Sequence, residues 1–186
     1  MEKKELTKLL LADTLKEQMI IKDFDKITIR RITDAAGVIR PTFYNYFRDK
    51  YEVLEWIVDS ELIVPMRELA GGGKLKESLL HLFKTVSENR DFYRRAFCVT
   101  GQNGFSEMMI RKIGVLIFEY MEKNGLTINS ENRLLTREVV AGRFAVDIVT
   151  VENILSSTEF ISATPEEELD AYVWLVTHPL QQLING

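Results

Sequence analysis

Cysteine is almost absent from this chain. Of 186 residues only Cys98 is one, so no disulfide can form within the chain, and a reducing compartment is expected. Histidine is nearly as scarce: His81 and His178 stand far apart with no cysteine pair near them, so no metal-ligand pattern emerges. No apolar run approaches the ~20 residues needed to cross a bilayer, and no membrane partner is expected. The opening Met1-Glu2-Lys3-Lys4-Glu5 mixes charges where a secretory signal would be apolar, so a soluble, cytoplasmic protein is the expectation. Strand-like alternation is confined to Ile27-Thr28-Ile29. Gly72-Gly73-Lys74 fails as a phosphate loop, because Glu68 stands where an earlier glycine is required and Leu75 replaces the hydroxyl residue. No nucleophile elbow or dinucleotide-binding run is found either. No cofactor and no enzymatic chemistry are expected.

What is present is ordinary in amount and unusual in placement. Apolar residues make up 46% and charged residues 28%, a balance suited to a folded core. The length is enough to bury roughly 70% of the unfolded chain's surface without staples. The net charge is -4, which alone argues against a surface that coats nucleic acid. The charge is unevenly divided. Residues 1–50 hold 11 basic against 8 acidic side chains, whereas residues 51–186 hold 13 against 20. A small basic head precedes an acidic body.

Apolar spacing predicts helices nearly throughout, about nine in all with short connectors. Leu6, Leu10, Leu11, Leu15 and Met19 mark the first, over about residues 3–21. Thr28 is suited to cap a short helix that Gly37 ends, and Asp49 to cap a longer one that Gly71-Gly72-Gly73 stops. Pro65 predicts a kink or break near Ile63. Asp91 is a candidate cap for a helix through Phe97, and Gly104 precedes a stripe from Met108 to Met121. The longest helix is expected over about residues 130–157, and Thr164-Pro165-Glu166-Glu167 reads as the start of the last. The expectation is an all-α chain, with residues 1–50 as one domain and 51–186 as another.

The segment from Thr28 to Lys50 has its own logic. A short helix, a turn centred on Gly37 and a second short helix form a helix-turn-helix. Ala35 and Ala36 permit close approach, Val38 fills the angle, and Ile29, Ile32, Phe43 and Phe47 supply a core. Arg40, Thr42, Tyr44, Asn45 and Tyr46 remain outward, a mixture suited to phosphates and base edges.

This run resembles the DNA-binding head of TetR/AcrR-family transcriptional regulators, whose signature is T-I-x-x-I-A-x-x-A-G-V-S-x-x-T-x-Y-x-H-F-x-x-K. Thr28, Ile32, Ala36, Gly37, Val38, Thr42, Tyr44, Phe47 and Lys50 match in type and spacing. Three positions depart from the signature: Thr33 replaces alanine, Ile39 replaces the serine that caps the second helix, and Tyr46 replaces histidine. The resemblance implies that Thr28, Tyr44 and Lys50 contact phosphates. It places Arg40, Pro41, Thr42, Asn45 and Tyr46 on a recognition helix inserted in the major groove of double-stranded DNA.

For the body, the resemblance implies a small-molecule effector site and a two-fold homodimer on a palindromic operator. Apolar residues that could line such a site are Tyr93, Phe97, Met108, Phe118, Met121 and Phe144, although a plain core fits the same residues. Candidates for the dimer seam are Val140, Phe144, Ile148, Val151, Tyr172, Leu175, Val176 and Leu180. The family's usual role is repression relieved by the effector; the alternative is an activator or co-regulator whose C-terminal domain binds a protein partner. The stretch Glu88-Asn89-Arg90-Asp91-Phe92-Tyr93 and the general layout are similar to the subgroup containing dihydroxyacetone-kinase regulators. Cys98 reads as a small buried hydrophobe, and His81 as a half-buried helix residue.

Overall fold

The first helix, α1 (Lys3–Ile21), turns Leu11, Leu15 and Met19 into the interior and leaves Leu6 and Leu10 half exposed. It belongs to a computed structural model that describes residues 3–101, 104–125, 142 and 163–177. Among these residues every regular element is helical, so the expected all-α class holds. The expectations for the helix over 130–157, with Val140, Phe144, Ile148 and Val151, lie outside the described residues. So do those for Leu180 and for the side chains of Leu175 and Val176.

After α1 the chain makes a 3-10 turn (Phe24–Lys26) and enters α2 (Ile29–Ala35) and α3 (Arg40–Tyr44). The strand-like Ile27-Thr28-Ile29 is a helix entry. Thr28 takes an extended backbone, and its hydroxyl oxygen accepts from Arg31 N at 3.2 Å, as a capping side chain should. The α2 helix ends in a Schellman motif: Val38 N donates to Thr33 O at 3.0 Å, Gly37 N to Asp34 O at 3.4 Å, and Gly37 has φ 65°. That left-handed backbone suits glycine. Thr33 is buried, and its hydroxyl donates to Arg30 O at 2.9 Å. The replacement of alanine there leaves no orphaned polar group.

Asp49 caps α4 (Lys50–Val58), its carboxylate accepting from Glu52 N at 2.9 Å. This helix runs without interruption through a π turn (Asp59–Ile63) into α5 (Val64–Gly71). The break expected near Ile63 is therefore a wide turn, closed by Val64 N donating to Asp59 O and placed just before the proline that cannot donate. Gly73, with φ 80°, ends α5 in a second Schellman motif.

The body continues with α6 (Leu75–Glu88), α7 (Arg90–Phe97), α8 (Phe105–Lys123) and α9 (Pro165–Thr177). Asn89, not Asp91, holds the N-cap position of α7, and Asp91 lies in its first turn. The start of α9 is a capping box: Glu167 N donates to Thr164 Oγ1 at 3.2 Å, and Thr164 N donates to the Glu167 carboxylate at 2.8 Å.

The apolar core crosses the expected domain boundary without a gap. α1 packs on α2, α4 and α7, and one cluster joins Leu15, Ile32, Phe43 and Phe47 in the head to Ile57, Leu62, Tyr93 and Phe105. Ionic ties follow the same path. Lys16 on α1 binds Glu61 at 2.7 Å and Asn89 at 3.0 Å, and Arg95 on α7 reaches Asp23 at 3.6 Å. Lys112 on α8, with its side chain 15% exposed, lies 2.9 Å from Glu55 and 2.8 Å from Asp59. These two ion pairs tie α8 to α4 and to the start of the π turn.

Candidate nucleic-acid interface

The geometry of the head follows from its turn. Gly37 and Val38 redirect the chain so that Phe43 and Phe47 from the α3 segment pack inward beside Ile32. Their inward orientation leaves Arg40, Pro41, Tyr44 and Asn45 exposed. The α3 helix is shorter than the sequence implies, ending at Tyr44, with Asn45 as its C-cap. As the missing serine implies, Ile39 at its start supplies no side-chain cap.

Arg40 and Tyr44 form a unit one helical turn apart. The guanidinium donates to the Tyr44 hydroxyl at 3.2 Å and lies 5.9 Å from the ring centroid. The Tyr44 ring also meets Phe43 edge-on at 5.6 Å. Tyr44 is therefore held at its base by the core, while its hydroxyl proton stays available to a phosphate oxygen. Thr28 is similar: its oxygen is engaged as a cap, and its proton remains available. Asn45 is exposed and makes no side-chain hydrogen bond among the described residues. Thr42 is half-buried. Tyr46 is half-buried as well and packs against the core, so its ring is partly withdrawn from the outer face.

Lys50 has a different situation from the one the resemblance implies. Its Nζ donates to Phe24 O at 2.6 Å, Ile27 O at 3.1 Å and Asp25 O at 3.2 Å, and lies 4.4 Å from the Phe24 ring centroid. An ammonium has three protons, and three carbonyls receive them here. Burial lowers the Lys50 pKa from its ordinary value, while the nearby Asp25 carboxylate opposes that shift. In this geometry Lys50 clamps the 3-10 turn to the start of α4 and so fixes the entry into Thr28.

Lys22, Lys26, Arg30 and Arg31 line an open basin with Gln18 and Thr28. Lys22 and Lys26 lie outside the helix-turn-helix motif, and only the folding of the chain brings them beside Arg30 and Arg31. Arg31 Nε donates to Gln18 Oε1, Arg30 pairs with Asp34 at 3.5 Å, and Lys26 pairs with Asp23 at 2.8 Å. The Lys26 partnership raises its own pKa and lowers that of Asp23. Exposed pairs of this kind are weak, so these cations can exchange partners for phosphates.

In the body, Tyr93, Phe97, Met108 and Phe118 are buried and Met121 is half-buried. Phe105 brings only two of them together, its ring lying 5.0 Å from Phe97 and 6.2 Å from Tyr93, whereas Phe118 and Met121 sit more than three turns further along α8. Phe144, the sixth residue of that set, lies outside the described residues. The Tyr93 hydroxyl has no hydrogen-bond partner among the described residues. Tyr172 is half-buried, with its ring 6.0 Å from Phe83 of α6, so part of it is engaged within the chain. His81 is half-buried as expected. Cys98 is exposed, which corrects the expectation of burial: it follows the last turn of α7, past the buried Ala96 and Phe97. Among the described residues no cluster of three or more metal-ligating side chains occurs, and no helix there is long and apolar enough to cross a membrane.

Comparison with known proteins agrees with this geometry. Residues 11–57 match the family model described as bacterial regulatory proteins, tetR family. The HTH-type dhaKLM operon transcriptional activator DhaS of Lactococcus lactis subsp. lactis (strain IL1403) is 28% identical over 99 residues, which is 53% of this chain and 53% of that protein. The match thus spans about half the length of that relative. A solved structure described as dihydroxyacetone kinase operon activator DhaS superposes with a TM-score of 0.58 at 21% identity, covering 96% of this chain and 97% of the other. At that identity the likeness is one of fold.

Proposed function

We propose that this chain, whose residues 11–57 match the tetR family model, is a TetR-type regulator that controls transcription by reading a palindromic DNA site as a homodimer. The observation that carries the reading is the outward face of α3, where Arg40, Tyr44 and Asn45 stand exposed on a helix fixed from behind by Phe43 and Phe47. Such a face offers a cation, a hydroxyl and an amide to base edges and phosphates. The basic basin of Lys22, Lys26, Arg30 and Arg31 would follow the flanking backbone. The acidic body repels phosphate, which confines contact to the head.

Control of binding would be a shift between conformations. An effector held among the aromatic residues around Tyr93 and Phe105 would move α8. The Lys112 ties to Glu55 and Asp59 would carry that movement to α4. Two heads must meet successive major grooves about 34–36 Å apart, so a small tilt of α4 changes affinity. Release of a repressor by its effector is the simplest outcome. Activation is a second reading, favoured by the name of the L. lactis relative, a transcriptional activator. In that case the body would bind a protein partner in place of a metabolite.

A gel-shift assay with DNA from upstream of the chain's own gene and its neighbours tests the reading. Retardation of one fragment more tightly than random DNA supports it; equal retardation of all fragments opposes it. Reporter transcription in the presence and absence of the protein then gives the sign.

A further inference from the structure

Ile39 is 69% exposed, the most exposed residue among the head's large hydrophobics. It occupies the N-cap of α3, where its side chain makes no capping hydrogen bond. Its neighbours do not share this exposure. Val38 packs against the core, and Ile29 does so from the start of α2. One position therefore carries two local penalties, an uncapped helix and an aliphatic side chain in water. Positions where local rules are broken in an otherwise consistent segment are where function is expected.

The chemistry of the surroundings identifies the occupant. Ile39 adjoins Arg40 and stands at the end of a short helix whose outer face is polar and basic. In the major groove, base edges present nitrogen and oxygen donors and acceptors, except for the C5-methyl of thymine. That methyl is the only apolar group there that an isoleucine can cover without stripping water from a polar atom. We propose that Ile39 is a specificity-determining residue that packs on a thymine methyl of the half-site. The proposal rests on the DNA-reading function above, and deepens it by naming one base.

The test starts with selection of preferred sites from random duplex DNA by the full chain. Each thymine of the selected site is then replaced in turn by deoxyuridine, which lacks only the methyl. Binding is measured for wild type, Ile39→Val and Ile39→Ser. Wild type should lose about fourfold in affinity at one thymine of each half-site, the worth of one buried methyl. Ile39→Val should keep that sensitivity. Ile39→Ser should lose it, while melting at the same or a higher temperature because serine restores the cap. A selected site at which no uracil replacement separates wild type from Ile39→Ser would overturn the proposal and leave the DNA-reading function standing. Failure to select any site would overturn both.

Discussion

His81 Nε2 lies 2.7 Å from the carbonyl oxygen of Glu61 and donates to it across the contact between α6 and the π turn. Pro65 stands four residues after Glu61 and has no N–H to return to that carbonyl. A side chain from another helix therefore supplies the bond that the proline withholds. The same residue presents its carboxylate to Lys16 of α1 at 2.7 Å, so the π turn joins α1, the α4–α5 helix and α6.

His81→Ala should destabilise the protein by about 1–2 kcal/mol, the usual cost of leaving a partly buried carbonyl without its donor. In a Pro65→Ala background, where a backbone N–H becomes available, the same substitution should cost measurably less. Urea denaturation of the four variants in a double-mutant cycle checks the coupling. Equal costs in both backgrounds would show that the histidine does not substitute for the missing donor.

Lys50→Met should lower stability by about 1–2 kcal/mol because three carbonyls lose their shared donor. Since those carbonyls already hold its protons, the slope of log affinity for DNA against log salt should be unchanged. A slope smaller by about one unit would place the ammonium on a phosphate instead. Thermal melting and salt titration of binding together separate the two roles.

Gly37→Ala should cost about 1–2 kcal/mol, because its φ of 65° is strained for any residue with a Cβ. Space is not the obstacle, since an added Cβ would meet nothing within 4 Å. DNA affinity should fall further than stability alone explains, as relief of the strain changes the angle between α2 and α3. A variant with wild-type melting and wild-type affinity would refute the conformational argument.

Tyr93→Phe should be neutral or slightly stabilising near neutral pH, because the hydroxyl it removes has no partner among the described residues. Burial, with the Glu61 carboxylate adding to it, pushes the Tyr93 pKa well above its ordinary 10.0. The sign follows: the native state resists losing that proton, so its stability is retained below the ordinary value and falls as pH rises past it. The variant should therefore gain on wild type above about pH 10. Urea midpoints compared at neutral and alkaline pH test this, and a gap that does not change with pH would contradict it.

Local signals were legible and remote ones were not. Thr28, Gly37, Asp49 and Thr164 act within three or four residues of themselves, and each does what its chemistry implies in sequence. The disturbance near Pro65 was also visible, although it takes the form of a π turn in a continuous helix. Its resolution was not, because His81 reaches it from another helix. Lys50 matched a motif position, but its three carbonyl partners lie more than twenty residues earlier and become neighbours only once α1 and α4 pack. Lys112, Lys16 and the basin residues Lys22 and Lys26 have the same origin. Cys98 was misplaced because composition favours burial of cysteine, whereas its position past the end of α7 decides otherwise.

The central claim, that the head reads DNA sequence, is tested most directly by fluorescence anisotropy at one salt concentration. The fragment retarded in the gel-shift assay is titrated beside a scrambled duplex of the same composition. Tighter binding to the true fragment by about a thousandfold or more is expected of a sequence-reading head. Equal affinities for the two duplexes would contradict it.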